Sequence, residues 1–134
     1  EVDARWETKR GAISGFFGGQ TVQHEIRRDD AGWRLNGVRV AGLEHLVDLD
    51  YGFTPATNAL QLSRIALKQG QQAEVPVVWF DLDSASLIEL PQSYERRGEA
   101  SYWYEAPTVP YQALLEIAPN GFVQSYPGLW RLVT

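Results

Sequence analysis

Apolar and polar residues alternate in short runs along most of this chain. The run TVQHEIRR at 21–28 places Val22 and Ile26 on one face of an extended segment and polar residues on the other. A period of two residues is typical of a β-strand with one buried face. Further runs rich in Val, Ile, Leu, Tyr and Trp, each bounded by Gly, Pro, Asp or Ser, predict strands at 59–67, 74–82, 86–94 and 100–106.

Two Asn-Gly pairs predict tight turns between neighbouring strands. Asn36-Gly37 lies between the alternating halves of WRLNGVRV at 33–40, and Asn120-Gly121 lies within YQALLEIAPNGFVQSY at 111–126. Asn and Gly tolerate the positive φ angles of a type I′ turn, which matches the twist of paired strands. Each pair therefore predicts an antiparallel hairpin.

Together these elements predict an all-β fold. About nine strand candidates follow one another at the spacing typical of a sandwich, barrel or roll, and no window shows a convincing helical period. The segment 63–74 has some helical character, but Gly70 ends it early and Ile65 and Leu67 continue the alternation. We predict a mostly antiparallel curved sheet, arranged as a sandwich, a roll or a partly open barrel.

Two local features modify this picture. Pro76 has no N–H to donate to a neighbouring strand, so it predicts an edge strand or a bulge at 74–82. The segment GFFGG at 15–19 predicts a bulged or sharply bent strand entry, with a mobile flap carrying two apolar tips as the alternative.

Length and composition favour one domain spanning residues 1–134. Of its 134 residues 44% are apolar, which suffices for a sizeable core and argues against disorder. The net charge of −5 argues against nucleic-acid binding, which needs a basic surface. No apolar run approaches the ~20 residues of a membrane helix, so we expect no membrane span. The acidic charge and the absence of a signal-peptide pattern in the first residues favour a cytoplasmic location. Because the chain begins at Glu1 rather than Met, N-terminal strands of the domain can lie outside it.

Most catalytic and metal-binding motifs are missing from the sequence. The chain has no cysteine, which excludes disulfides, thiolate zinc sites and cysteine nucleophiles. His24 and His45 are too few for a three-histidine zinc site, and no nucleophile elbow, phosphate loop or dinucleotide fingerprint is present. We therefore predict no cofactor and no metal.

The first candidate for chemistry is the pair Asp48 and Asp50. Side chains two residues apart on a strand share a face, so the two carboxylates predict a metal or acid–base pair, a structural pair, or a ligand contact. In the structural interpretation, Arg64 on a neighbouring strand supplies the counter-charge. The second candidate is aromatic: Tyr102 and Tyr104 share one strand face, where they either pack in the core or line a ligand cavity.

Two stretches resemble the signature of a bacterial family of glycolipid-binding domains. DLDYGFTPATNALQLSRI at 48–65 has the family's Asp-x-Asp, its Thr-Pro-x-Thr-Asn and an apolar alternation ending at an arginine, and QSYPGLWR at 124–131 matches its C-terminal element. LPQSYER at 90–96 resembles a third element through Gln92 and Tyr94. The chain departs from the family in having no cysteine before Asp48, Ala56 in place of a usual Phe, and Gln61 in place of a usual Pro.

The resemblance implies a spiral β-roll that holds an amphipathic ligand, a glycolipid or fatty-acyl molecule, without catalysis. Thr54 with Pro55 predicts a tight corner in this signature. The polar positions that the resemblance assigns to ligand contact are Asp48, Asp50, Asn58, Arg64, Gln92, Tyr94 and Tyr126. Two alternatives stay open: a carboxylate-dependent hydrolase acting on a glycan or phosphoester with His45 as a helper, and a cavity-free interaction module that pairs through edge strands. The sequence makes no prediction of oligomeric state.

Overall fold

The computed structural model describes residues 1–133, which form short strands, one α-helix and one 3₁₀ turn. The 3₁₀ turn is Pro55–Thr57 and the helix α1 is Asn58–Ile65. The strands are β1 Arg10–Phe17, β2 Gln20–Asp29, β3 Gly32–Leu35, β4 Val38–Val40, β5 Leu49–Tyr51, β6 Gln72–Glu74, β7 Val77–Asp81, β8 Ser86–Leu90, β9 Ser93–Arg96, β10 Ser101–Ala106, β11 Tyr111–Ile117, β12 Val123–Tyr126 and β13 Trp130–Arg131. No helix among the described residues is both long and apolar enough to cross a membrane.

The strands form three sheets, and none of these closes into a barrel. The first sheet has the order β1-β2-β3-β4, the second β13-β12-β11-β10-β9-β6 and the third β5-β7-β8. Every strand pair is antiparallel except β5 with β7. The predicted all-β, mostly antiparallel class is therefore confirmed.

Both Asn-Gly pairs lie in the hairpins that the sequence predicts. Asn36 and Gly37 connect β3 to β4 with φ angles of 50° and 83°. Gly121, at φ 87°, lies in the turn between β11 and β12, where its N–H donates to the carbonyl of Ala118. Local turn chemistry therefore sets the first connection, whereas the second is a five-residue loop in which Gly121 but not Asn120 has a positive φ, so the predicted tight turn was wrong there.

The helix α1 contradicts the strand predicted at 59–67. Thr54 accepts a hydrogen bond from the N–H of Ala56, and Pro55 follows it, which together start the helical segment. Asn58, Gln61 and Leu62 are the buried positions of the helix. Because two of these three are polar, the apolar residues of the segment show no helical period. The segment ends where Ala66 adopts a left-handed conformation.

Three other predictions at this level were wrong. The predicted strand 86–94 divides at Pro91 into β8 and β9, which belong to different sheets. Pro76 precedes β7, the middle strand of its sheet, so it marks a strand start rather than an edge. The GFFGG segment contains no bulge: β1 runs in regular register to Phe17, and Gly18-Gly19 turn the chain into β2.

Two apolar cores lie on opposite sides of β7. Val78 and Phe80 pack with Ile26 and Trp33 beneath the four-stranded sheet. Val77 belongs to the other core, which lies between the six-stranded sheet and α1. The three-stranded sheet is therefore the middle layer, and it carries Asp50 on β5 between the two cores.

Candidate functional site

Asp48 and Arg64 form a bidentate ion pair behind the site. Nε of Arg64 donates to Oδ1 and Oδ2 of Asp48 at 3.0 Å each, and Nη2 donates to Oδ2 at 2.6 Å. Asp48 is 2% exposed. These hydrogen bonds raise the pKa of Arg64 above its usual value. The predicted counter-charge is present, but it comes from α1 and not from a neighbouring strand.

Asp50 has a different environment from Asp48. Its Oδ1 accepts hydrogen bonds from Thr57 Oγ1 at 2.6 Å and Gln61 Nε2 at 3.0 Å, and both donors are neutral. Burial raises the pKa of Asp50 to about 6; the two hydrogen bonds oppose this shift, and the negative charge of Asp48 adds to it. The Oδ2 atom has no hydrogen-bond partner among the residues that the structure describes.

Gln61 connects Asp50 to the six-stranded sheet. Its Oε1 accepts from Gln92 Nε2 at 2.6 Å and from the hydroxyl of Tyr94 at 2.8 Å. The Tyr94 hydroxyl in turn accepts from Asn58 Nδ2 at 2.7 Å, and Gln92 Oε1 accepts from the hydroxyl of Tyr104 at 2.8 Å.

In this network each residue donates a hydrogen bond to the next, and the series ends at Asp50. One chain of hydrogen bonds leads from Asn58 through Tyr94 to Gln61, the other leads from Tyr104 through Gln92 to Gln61, and Gln61 donates to Asp50. Successive hydrogen bonds of this kind polarise one another. The network therefore stabilises negative charge on Asp50 and holds the helix against the sheet.

A pocket of about 240 Å³ opens beside Asp50. Its walls are rich in aromatic side chains. Tyr104, Tyr111 and Tyr126 form a cluster with ring centroids 5.3–6.0 Å apart. The lining consists of Asp50, Tyr51, Gly52, Thr54, Pro55, Asn58, Trp79, Leu90, Tyr104, Val109, Tyr111, Tyr126, Leu129 and Trp130. It includes one carboxylate and no Lys, Arg or His.

The carboxylate and the side-chain amide of this lining each have one oxygen that accepts no hydrogen bond from the described residues. These oxygens are Oδ2 of Asp50 and Oδ1 of Asn58, whose residues are 8% and 3% exposed. Among the described residues, no fully buried side-chain nitrogen or oxygen lacks a partner. Both oxygens therefore keep some exposed surface, and both residues line the pocket, so a donor can reach them.

A shallower groove of about 450 Å³ adjoins the pocket. Tyr51 and Thr54 line both spaces. The ring of Tyr51 stacks on that of Phe53 at 5.2 Å and 18°. The groove is lined by Ala12, Ile13, Ser14, Tyr51, Phe53, Thr54, Ala56, Thr57 and Leu60, so its surface is mainly apolar.

Gly52 sets the position of Trp79 in the pocket wall. A Cβ added at residue 52 would lie 2.7 Å from Nε1 and Cζ2 of Trp79. No unstrained side chain fits that gap, so a larger residue would displace the indole. The Asp-Tyr-Gly sequence at 50–52 therefore carries a packing requirement as well as the acid.

The structure divides the predicted site residues into two groups. Asp50, Asn58 and Tyr126 line the pocket. Asp48, Arg64, Gln92 and Tyr94 are not among the lining residues and hold the pocket from behind. His45, the helper of the hydrolase hypothesis, pairs with Glu89 at 3.2 Å and is not a lining residue either.

Sequence reasoning missed Gln61 and much of the aromatic wall. The residue that links the network was assigned to a strand. Asn58, Gln61 and Arg64 recur at intervals of three, which places them along one side of a helix, and that polar period was the available signal. No comparable local signal selects Trp79 or Tyr111, because ordinary core packing uses the same residues.

Comparisons with known proteins agree with this fold. A comparison with curated proteins gave no match. The crystal structure of a DUF1089 family protein from Pseudomonas aeruginosa at 1.80 Å resolution superposes with a TM-score of 0.85 and 24% sequence identity, covering 98% of this chain and 73% of that one. At this level of identity the likeness concerns the fold alone. The sequence model of the family described as "Putative glycolipid-binding" matches residues 1–132, and the chain belongs to that family.

Proposed function

We propose that this protein binds an amphipathic ligand of the glycolipid or fatty-acyl class and does not catalyse a reaction on it. The head group lies in the pocket beside Asp50, and the apolar chain lies in the adjoining groove. One observation carries the proposal: an aromatic-walled pocket is lined by a carboxylate and an amide that each have an unpartnered oxygen, and it shares a wall with an apolar groove.

The size and lining of the pocket favour a single ring. The pocket volume of about 240 Å³ is well above the ~10–15 Å³ that a single water needs in the same measure, so a compact head group has room. Aromatic rings offer flat apolar faces on which a sugar ring can stack. The acceptors Asp50 Oδ2 and Asn58 Oδ1 then receive hydrogen bonds from ligand donors, which fixes the orientation of the head group.

The groove supports the amphipathic part of the proposal. Ile13, Phe53 and Leu60 provide apolar surface next to the wall formed by Tyr51. An alkyl chain gains roughly 0.8 kcal/mol for each methylene that it buries. A ligand that bridges both spaces therefore gains affinity from its chain and orientation from its head group.

The arrangement of carboxylates favours binding over glycan hydrolysis. Glycosidases use two carboxyl groups on either side of the scissile bond. Here Asp50 lines the pocket, whereas Asp48 is held in its ion pair with Arg64 and does not line it. Hydrolysis of an aryl or alkyl glycoside by the purified protein would contradict the proposal.

The test is calorimetric titration with n-octyl β-D-glucoside below its critical micelle concentration. Trp130 lines the pocket and is 45% exposed; Trp6 lines neither space and is 44% exposed. We expect Trp130→Ala to weaken binding by roughly fivefold or more, and Trp6→Ala to bind like the wild type. Equal affinities for both variants, or no binding by the wild type, would count against the proposed pocket.

A second pair of variants, one in the groove and one outside it, tests the role of the groove. We expect Leu60→Ser to weaken binding of n-octyl β-D-glucoside while leaving binding of free glucose unchanged, because only the octyl chain reaches the groove. Ile88→Ser, at a residue 48% exposed and outside both linings, is the control. If Leu60→Ser has no effect, the alkyl chain does not lie in this groove.

A further inference from the structure

Two carboxylates of one short segment differ in their counter-charges. Asp48 has the guanidinium of Arg64 at 2.6 Å. Asp50 is only 8% exposed, and its hydrogen-bond partners Thr57 and Gln61 are neutral. Within the described part of the chain, Asp50 forms no ion pair. Buried charges in proteins are normally paired, so Asp50 is an exception that needs a physical reason.

The hydrogen-bond network around Asp50 stabilises its negative charge without neutralising it. Both chains of donors end on Asp50 Oδ1, which favours the ionised carboxylate. The network consists of amides and hydroxyls, so it supplies dipoles but no positive charge. Asp50 lines the pocket, and its remaining oxygen, Oδ2, has no hydrogen-bond partner among the described residues and keeps some exposed surface. The place left for a counter-charge is therefore the pocket itself.

The pocket walls suit a cation. Tyr51, Trp79, Tyr104, Tyr111, Tyr126 and Trp130 contribute aromatic rings to the lining. The negative faces of such rings attract an ammonium group, most strongly where water is excluded. The lining contains no basic residue that would oppose a cation or neutralise an anion. A phosphate or sulfate head group would therefore be repelled by the carboxylate of Asp50, with no basic residue in the lining to offset the repulsion.

We propose that the head group bound in this pocket carries a protonated primary amine that pairs with Asp50. The ammonium donates to Asp50 Oδ2 and to Asn58 Oδ1, and the aromatic walls surround it. This inference rests on the proposed function and narrows its ligand. Its chemistry is shared by an amino sugar and by a simple amine head group.

Four octyl probes separate these cases in the full chain by calorimetry at pH 7.5. They are n-octyl β-D-glucoside, n-octyl 2-amino-2-deoxy-β-D-glucoside, n-octylamine and n-octyl phosphate. We expect the amino glucoside to bind at least tenfold more tightly than the neutral glucoside, and the phosphate to bind most weakly. Octylamine affinity equal to that of the amino glucoside identifies an amine head group without a sugar; weaker octylamine binding identifies an amino sugar.

Asp50→Asn provides the matched variant, because asparagine keeps the shape and the Oδ1 acceptor but removes the charge. We expect the ratio of amino to neutral glucoside affinity to fall to about one. Circular dichroism and the melting temperature check that the variant folds. If it does not fold, the wild-type ranking of the four probes decides.

The outcomes distinguish the two proposals. Equal wild-type affinity for the neutral and amino glucosides overturns the amine inference and leaves the proposed function intact. Tighter binding of octyl phosphate, or an unchanged preference in Asp50→Asn, also overturns it. Failure of all four probes to bind overturns both.

Discussion

The guanidinium of Arg64 meets the carboxylate of Asp48 with three contacts of 2.6–3.0 Å, and this ion pair joins α1 to the chain that enters β5. Asp48 is almost fully buried, whereas the Arg64 side chain keeps 26% of its surface exposed. The pair orients the helix from which Asn58 and Gln61 reach the pocket network. The ion pair therefore affects the geometry of the site as well as the stability of the fold.

Arg64→Ala should destabilise the fold strongly. Removing one partner of a buried ion pair leaves the other charge uncompensated, which costs about 3 kcal/mol or more of unfolding free energy. Arg39→Ala is the control, because Arg39 and Glu44 form a pair of similar length, 3.0 Å, between exposed side chains. Such a pair contributes less than about 1 kcal/mol. Urea unfolding followed by circular dichroism measures both; similar losses would mean that Asp48 is better solvated than its burial indicates.

Tyr94→Phe should also destabilise the protein, by about 1–3 kcal/mol. The variant removes the hydroxyl that donates to Gln61 and accepts from Asn58, and both of these groups are buried. Tyr111→Phe serves as the comparison, since its hydroxyl donates to the carbonyl of Pro127 in an exposed bond. We expect less than half the effect there. Chemical denaturation gives the two values, and a smaller loss for Tyr94→Phe would contradict the role of the network.

Asp50 should give the stability a measurable pH dependence. Its pKa rises from 3.8 to about 6 on folding, so the folded state binds the proton more tightly than the unfolded state. The free energy of unfolding therefore falls as the pH rises from about 4 to 6, by up to about 3 kcal/mol from this group. Over that pH range the wild type should lose stability relative to Asp50→Asn, which lacks the titrating group. A difference that is constant with pH would refute the raised pKa.

The ionisation of Asp50 should also govern ligand binding. Other ionisable groups near Asp50 are Asp48, paired with Arg64, and the hydroxyls of Tyr94, Tyr104 and Tyr126. Burial raises the pKa of all three tyrosines, so they stay neutral between pH 5 and 8. We expect affinity for the amino glucoside to increase as the pH rises through about 6, while that for n-octyl β-D-glucoside changes less. Calorimetry at pH 5 and 7.5 makes the comparison, and parallel pH profiles would contradict pairing with Asp50.

Gly52→Ala should damage the pocket. The new methyl group would overlap Trp79, which has to move, and overpacking of this kind costs about 1–3 kcal/mol. We expect a lower melting temperature together with weaker binding of n-octyl β-D-glucoside. Gly98→Ala is the control, since its methyl group would meet the flexible hydroxyl of Ser101 and lies away from the pocket lining. Unaltered binding by Gly52→Ala would show that the position of Trp79 is not critical.

The features that the sequence predicted well are local ones. Alternation over a few residues identifies β2 and β10, and Asn36-Gly37 identifies its hairpin, because a period of two and a positive φ are properties of neighbouring residues. The motifs at 48–65 and 124–131 identified the family on the same local basis. Asp50, Asn58 and Tyr126, which the family signature assigned to ligand contact, line the pocket, and their contact with a ligand stays a prediction.

By itself, then, the sequence determined the strand class, the hairpin turns, the family and a set of polar candidates. The tertiary structure decided that 58–65 is a helix, because its buried Asn58 and Gln61 are satisfied by Tyr94 and Gln92, more than thirty residues away in the chain. It also decided the roles of the two aspartates. Arg64 reaches Asp48 because the helix orients it there, and Asp50 faces the pocket without a counter-charge; a spacing of two residues in the chain carries no information about that difference.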